Sequence, residues 1–227
     1  ETHQNQMINI KINRGIIMIN LKERLLDLHY SNNEEHIGSC FSGLEIIDDI
    51  FNKMNKDDIF VLSCGHLGYA LYAVIEKYYG INAEDLIKKH GGHPHIDEKN
   101  KIYCSAGSLG LGITVAVGRA MANPKRDVYV LISDGECAEG TIWESLRYIY
   151  EHKINNIKVF VNVNGYAGYD AVDTHYLEKR LKAFLPEINI VNTKVSHFSF
   201  LRGIGAHYHI MSEDDYKKAK KELKDEC

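Results

Sequence analysis

Val128-Tyr129-Val130-Leu131-Ile132-Ser133-Asp134-Gly135-Glu136 and, one crossover later, Ile157-Lys158-Val159-Phe160-Val161-Asn162-Val163-Asn164-Gly165 repeat one pattern. In each, a short apolar run ends in a side chain that carries oxygen, followed by glycine. Apolar runs of this length, bounded by turn residues, read as buried strands. The helical stretch from Thr141 to Tyr150 between them has the length of an ordinary βαβ crossover. Asp134 and Asn164 then stand at the carboxyl ends of neighbouring parallel strands, where open α/β sheets bind ligands. A carboxylate, a carboxamide and a turn carbonyl are hard oxygen donors suited to Mg²⁺, which keeps few protein ligands and shares phosphate oxygens. A single Asp-Gly is a common turn. Its recurrence one unit later as Asn-Gly gives the pair its reading as a metal–diphosphate site.

On either side of this unit, the same periodicities predict helices over 21–30, 44–54, 67–79, 108–121, 173–184 and 213–224, with a short one opened by Asn82. Further strands are expected at Ile59–Leu62 and Ile188–Val191, and the strand before Asp134 at 127–132. Alternation of this kind predicts an α/β fold with a doubly wound, mostly parallel sheet flanked by helices. No linker divides the chain, so residues 21–227 form one domain, preceded by a polar leader and N-terminal extension over 1–20.

The chain has 227 residues, 27 Lys plus Arg and 31 Asp plus Glu, for a formal charge of −4. Nothing in that balance points to nucleic acid, and the Lys217–Lys221 region alternates with acids as a solvated helix face does. No apolar run reaches membrane-spanning length, and Ile8–Leu21 is too interrupted for a clean signal peptide. The five cysteines form no C-x-x-C pair and read as reduced, buried side chains in a cytoplasmic protein.

Two further signals accompany the acidic loop. Ser105-Ala106-Gly107-Ser108-Leu109-Gly110-Leu111-Gly112 brings backbone N–H groups to the start of a helix, where they can approach an anion or a ring. It contains no Gly-Lys-Ser/Thr, which disfavours nucleotide hydrolysis. His36, His66, His93, His95, His207 and His209 all neighbour Gly, Pro, Tyr or acidic turn residues. Imidazoles so placed can move protons or hold hydroxyl groups near neutral pH.

Taken in order, these segments resemble the amino-terminal, diphosphate-binding part of transketolase in its split-subunit form. Ser63-Cys64-Gly65-His66-Leu67-Gly68, Gly92-His93-Pro94 and Gly107–Gly112 resemble that family's histidine and glycine loops. The acidic loop with Asn164 resembles its thiamine diphosphate motif, G-D-G…N, with Ser133 in place of the first glycine. Gly203-Ile204-Gly205 followed by His207-Tyr208-His209 resembles its closing motif.

The resemblance implies roles by position. Asp134, Asn164 and the carbonyl of Tyr166 would hold Mg²⁺, or Ca²⁺ or Mn²⁺ in its place. Gly135 and Glu136 would lie against the diphosphate, and Gly107 and Leu109 against the aminopyrimidine. His36, His66, His93 and, of the last pair, His209 would face cofactor and sugar, and Glu139 would belong to a dimer contact. The activity implied is transfer of a two-carbon ketol unit from a ketose to an aldose, with a sugar or sugar phosphate as substrate. A separate pyrimidine-binding chain would complete the site, in an α₂β₂ heterotetramer. Other readings are a homologue acting on a nucleotide-linked or unphosphorylated sugar, the α subunit of a 2-oxo-acid dehydrogenase-like complex, and a cofactor-binding subunit without turnover.

Overall fold

The computed structural model describes residues 20–225. The leader and extension expected over 1–20 lie outside the described residues up to position 19, and so does Cys227.

Four strands, β1 (Ile59–Leu62), β2 (Val128–Ser133), β3 (Ile157–Val163) and β4 (Asn189–Asn192), form one parallel sheet in the order β1-β2-β3-β4. Val128 pairs with Ile59 on one side and Ile157 on the other, and Ser133 pairs with Asn162. All four residues of β1 are buried, as are most of β2 and β3. This explains why those runs are continuously apolar rather than alternating. Only β4, at the edge, is half-exposed.

Eight α-helices among the described residues cover both faces. Helices α5 (Leu111–Ala122), α6 (Gly140–Glu151) and α7 (Thr174–Phe184) pack on one face, where Ile113, Ala116, Ile142, Leu146, Leu177 and Leu181 meet Val61, Val130 and Val159. On the other face lie α1 (Leu21–Asn32), α2 (Ile37–Lys53), α3 (Gly68–Tyr79), α4 (Ala83–His90) and α8 (Glu213–Asp225), whose Leu25, Ile47, Leu71 and Leu223 join Phe60, Leu62 and Leu131. The expected α/β architecture is observed. The strand order never reverses, and the second face is filled by helices that precede β1 or follow β4 together with α3 and α4 from the β1–β2 connection.

Sequence-coded caps set several boundaries. Asn82 accepts from Asp85 N and Asp173 from Tyr176 N, opening α4 and α7. Gly80, at φ 68°, closes α3. Two helices begin elsewhere than predicted. Helix α2 starts at Ile37, seven residues before the amphipathic repeat, because Ile37–Leu44 is buried on every side and shows no periodicity. Helix α5 starts at Leu111 rather than Ser108 because Gly107 and Gly110 take φ of 130° and 78°, which a helix cannot contain.

Candidate functional site

The carboxyl ends of β1, β2 and β3 deliver Ser63, Asp134 and Asn164 to one edge of the sheet. There Asp134 and Asn164 border a cavity of about 320 Å³, lined also by His36, His66, His93, Gly107 and His207. That volume lies at the lower end of small-molecule sites. A second cavity of about 550 Å³ lies between α2 and β4, and Ser42 in its lining also faces Asn164 of the first.

Asp134 is 2 % exposed. Its Oδ2 accepts from the backbone N–H of Asn164 at 2.9 Å and Gly165 at 2.7 Å, and its Oδ1 from Gly135 at 3.0 Å. The Asn164 side chain caps the same turn, accepting from Tyr166 N at 3.0 Å, while its Nδ2 faces Ser42 Oγ at 3.4 Å. Burial pushes the Asp134 carboxyl up to about 6, against the pull of those backbone donors. Among the described residues, neither lysine nor arginine lines the cavity. A buried carboxylate without a cationic side chain beside it fits a bound divalent cation as counter-charge. Gly135 completes the cradle, since a Cβ there would approach Ala167 Cα to 3.1 Å.

Glu136, 0 % exposed, ties three segments together. Its Oε1 accepts from Ser63 Oγ at 2.7 Å and from Gly110 N at 2.9 Å, and its Oε2 from Ser133 N at 3.1 Å. The end of β1, the glycine loop and the acidic loop thus share one carboxylate, whose carboxyl is raised by its burial. Gly112 carries α5 against the same point, where a Cβ would meet Ser63 Cα at 2.4 Å.

Four imidazoles roof the cavity. The His36 ring lies 4.5 Å from that of His207, 5.7 Å from His93 and 6.0 Å from His66, and His66 and His207 are 5.2 Å apart. Ser39 Oγ hydrogen-bonds with His207 Nδ1 at 2.9 Å. Burial, then the neighbouring imidazoles, holds His66 well below the ordinary histidine range and His207 at about 4. His93 is lowered for the same reasons. These three rings are neutral at pH 7, able to accept a proton or donate a hydrogen bond from one nitrogen.

The profile described as "Transketolase, thiamine diphosphate binding domain" matches residues 38–184, well over half the chain. The chain belongs to the transketolase thiamine diphosphate-binding domain family. It is 33% identical over 163 residues to one of the named subunits of apulose-4-phosphate transketolase from Phocaeicola vulgatus, a match covering 63% of this chain and 58% of that protein. It is 29% identical over 244 aligned positions to the protein of the same name from Actinobacillus succinogenes, covering 84% and 88%. The transketolase of Leishmania mexicana superposes with a TM-score of 0.70 at 17% identity, over 90% of this chain and 40% of that one, a likeness of fold. The chain thus spans less than two thirds of the Phocaeicola protein and of the solved transketolase.

Within this transketolase-type domain, His36, His66, His93, Gly107, Leu109, Asp134, Gly135, Glu136, Asn164 and Tyr166 all line the one cavity. His209 does not, and here the expectation is corrected. The turn Gly203–His207 is a tight 3-10 helix that aims His207 at the cavity. His209 instead packs on Phe200 and faces Asp215 at 3.2 Å. Glu139 is exposed at the N-cap of α6. His90 and His95 lie apart, His90 beside Asp97 at 3.3 Å. The cysteines among the described residues are free and buried, and burial pushes all four thiols up, against a nucleophilic role. Sequence reasoning missed Ser39, Ser63, Tyr169 and Tyr208. Of these, Ser63 carried a signal as the residue directly after β1.

Proposed function

We propose that this chain is the diphosphate-binding subunit of a two-chain transketolase-like enzyme that moves a two-carbon ketol unit from a ketose to an aldose. The observation that carries the reading is Asp134, a buried acid lacking a cationic side-chain partner, joined by Asn164 in the lining of a cavity roofed by imidazoles. Asp134, the Asn164 side chain and the Tyr166 carbonyl would hold Mg²⁺ or a similar cation. Gly135 and the glycine loop would receive thiamine diphosphate. When bound, that cofactor supplies stabilisation of a carbanion at the carbon–carbon bond being exchanged.

The chain's own residues then have defined work. Asp134 neutralises the cation, and the Glu136 bridge keeps the acidic and glycine loops in register. His66 and His207, neutral and largely enclosed, hold substrate hydroxyls and relay protons. His93 is the exposed ring of the four. The cavity lining among the described residues offers no lysine or arginine for a phosphate group, so recognition of a phosphorylated substrate falls to the partner. Leu109, Leu111 and Val115 are 41%, 47% and 36% exposed on one side of the site. Apolar surface of that kind supports a covering chain, here a pyrimidine-binding subunit in an α₂β₂ assembly. No helix among the described residues is long and apolar enough to cross a membrane, and a cytoplasmic setting belongs to the same proposal.

The test is reconstitution. The chain alone, with thiamine diphosphate and Mg²⁺, is expected to show no ketol transfer, and addition of the partner chain to restore it in a screen of ketose donors and aldose acceptors. Full transfer by the isolated chain would overturn the two-chain reading.

A further inference from the structure

His36 is the ring at the centre of the four, lying next to each of the other three. Its backbone is unusual, at φ 66° in the left-handed region at the head of α2. Two hydrogen bonds hold it there. Its N–H donates to the His207 carbonyl at 2.8 Å, and its own carbonyl accepts from Cys40 N at 2.8 Å. A non-glycine residue in this conformation persists only where its surroundings impose it.

One carboxylate faces this ring. Glu34 Oε1 lies 3.6 Å from His36 Nδ1, with side chains 24% and 15% exposed. That is an ion-pair distance, longer than a hydrogen bond. Glu34 is itself fixed, because its N–H donates to the His29 carbonyl at 3.1 Å at the end of α1. Room for the carboxylate comes from Gly92, where a Cβ would stand 2.7 Å from Glu34 Oε1. The groups facing the pair are the Tyr69 phenol on α3 and His29 on α1, on the Glu34 side, and His66, His93 and His207 on the His36 side.

We propose that Glu34 is the positioning carboxylate of His36, holding the proton on Nδ1 and leaving Nε2 as the free lone pair. A carboxylate on one imidazole nitrogen fixes the tautomer and makes the opposite nitrogen the stronger base, the division of labour seen wherever a carboxylate orients a catalytic histidine. Among the described residues, the other three rings have no carboxylate so placed in the hydrogen bonds and ion pairs of the site, so the pair marks His36 off from them. Consistent with the geometry, the Glu34 carboxyl is held below the ordinary range, chiefly by His36. Use of that lone pair in proton transfer rests on the function proposed above; the tautomer itself does not.

Imidazole nitrogen NMR of the full chain, at about pH 8 where ordinary histidines are neutral, reads the tautomer directly. The wild-type His36 signal is expected to show the Nδ1–H form. Glu34→Gln, which keeps an acceptor oxygen, should preserve it, and Glu34→Ala should move a large share of the proton to Nε2 while the His207 signals stay in place. A wild-type ring protonated on Nε2 would overturn the proposal without any variant, and so would an unchanged His36 spectrum in Glu34→Ala. The measurement uses neither cofactor nor partner. A chain that fails to bind thiamine diphosphate yet shows this pattern refutes the function and leaves the Glu34–His36 pair standing.

Discussion

The Oδ2 atom of Asp134, at the end of β2, lies 2.7 Å from the backbone nitrogen of Gly165, just past the end of β3. A side chain from one strand thus shapes the turn that carries the Asn164 amide at the end of the next. The two oxygen donors are therefore coupled, and removing the acid should disturb the amide as well.

Asp134→Ala should abolish cation-dependent thiamine diphosphate binding, since it deletes one ligand and releases the turn that presents the other two. Calorimetry with Mg²⁺ present checks this, and unchanged affinity would remove Asp134 from the site. The same group predicts a pH dependence. Its carboxyl stands at about 6 in the folded chain, so below that pH a proton competes with the cation for the same oxygens. Wild-type affinity should hold between pH 7 and 8 and then weaken by roughly tenfold per pH unit as pH falls below 6. Affinity flat down to pH 5 would contradict the assignment.

Glu136→Ala should cost about 3 kcal/mol or more in urea unfolding. It orphans the buried donors Ser63 Oγ, Ser133 N and Gly110 N together, and each unpartnered buried group costs about 1–3 kcal/mol. Glu136→Gln keeps the shape and one acceptor and should cost less. A loss under 1 kcal/mol in the alanine variant would mean that the three segments hold their register without it.

His207 and His209 separate by substitution. His207→Ala and His66→Ala should each lower turnover of the two-chain enzyme by roughly 10²-fold or more, the range of lost acid–base help, while cofactor binding survives. His209→Ala, which loses only its contacts with Phe200 and Asp215, should stay within about threefold of wild type, an activity change worth under 1 kcal/mol. Equal losses at 207 and 209 would contradict the placement of the closing turn.

Two glycines of α5 should respond in opposite directions. Gly112→Ala drives a methyl group into the Ser63 backbone and should destabilise the isolated chain by about 1–3 kcal/mol. Gly118 has open space around its Cβ position, so Gly118→Ala should stabilise the helix by about 0.5–1 kcal/mol. Thermal unfolding of both variants checks the register of α5 against β1, and matching shifts would show that register to be wrong.

The strands, and the placement of Asp134 and Asn164 at the ends of two of them, could be read directly because each is local: a short apolar run with a turn residue at its end. What escaped was not local. The start of α2 at Ile37 was hidden because Ile37–Leu44 is buried on every side, and a helix without a solvent face has no period to read. The choice between His207 and His209 depended on the 3-10 winding of Gly203–His207, which glycine spacing alone does not determine. Glu34 is one of two adjacent acids in a polar turn, and no spacing marks it. Only the left-handed backbone of His36 and the missing Cβ of Gly92 bring its carboxylate to the ring.

The hydrogen bonds around Asp134 and Asn164 come from the polypeptide itself, so the ordering entropy of this turn is lost when the chain folds rather than when a ligand arrives. Association can then be fast and need little rearrangement. The burden falls on the ligand-free chain, which keeps a carboxylate out of water beside no positive side chain. On the proposed function, cofactor and cation would act as thermodynamic ballast: by mass action they would raise the melting temperature with the logarithm of their concentration.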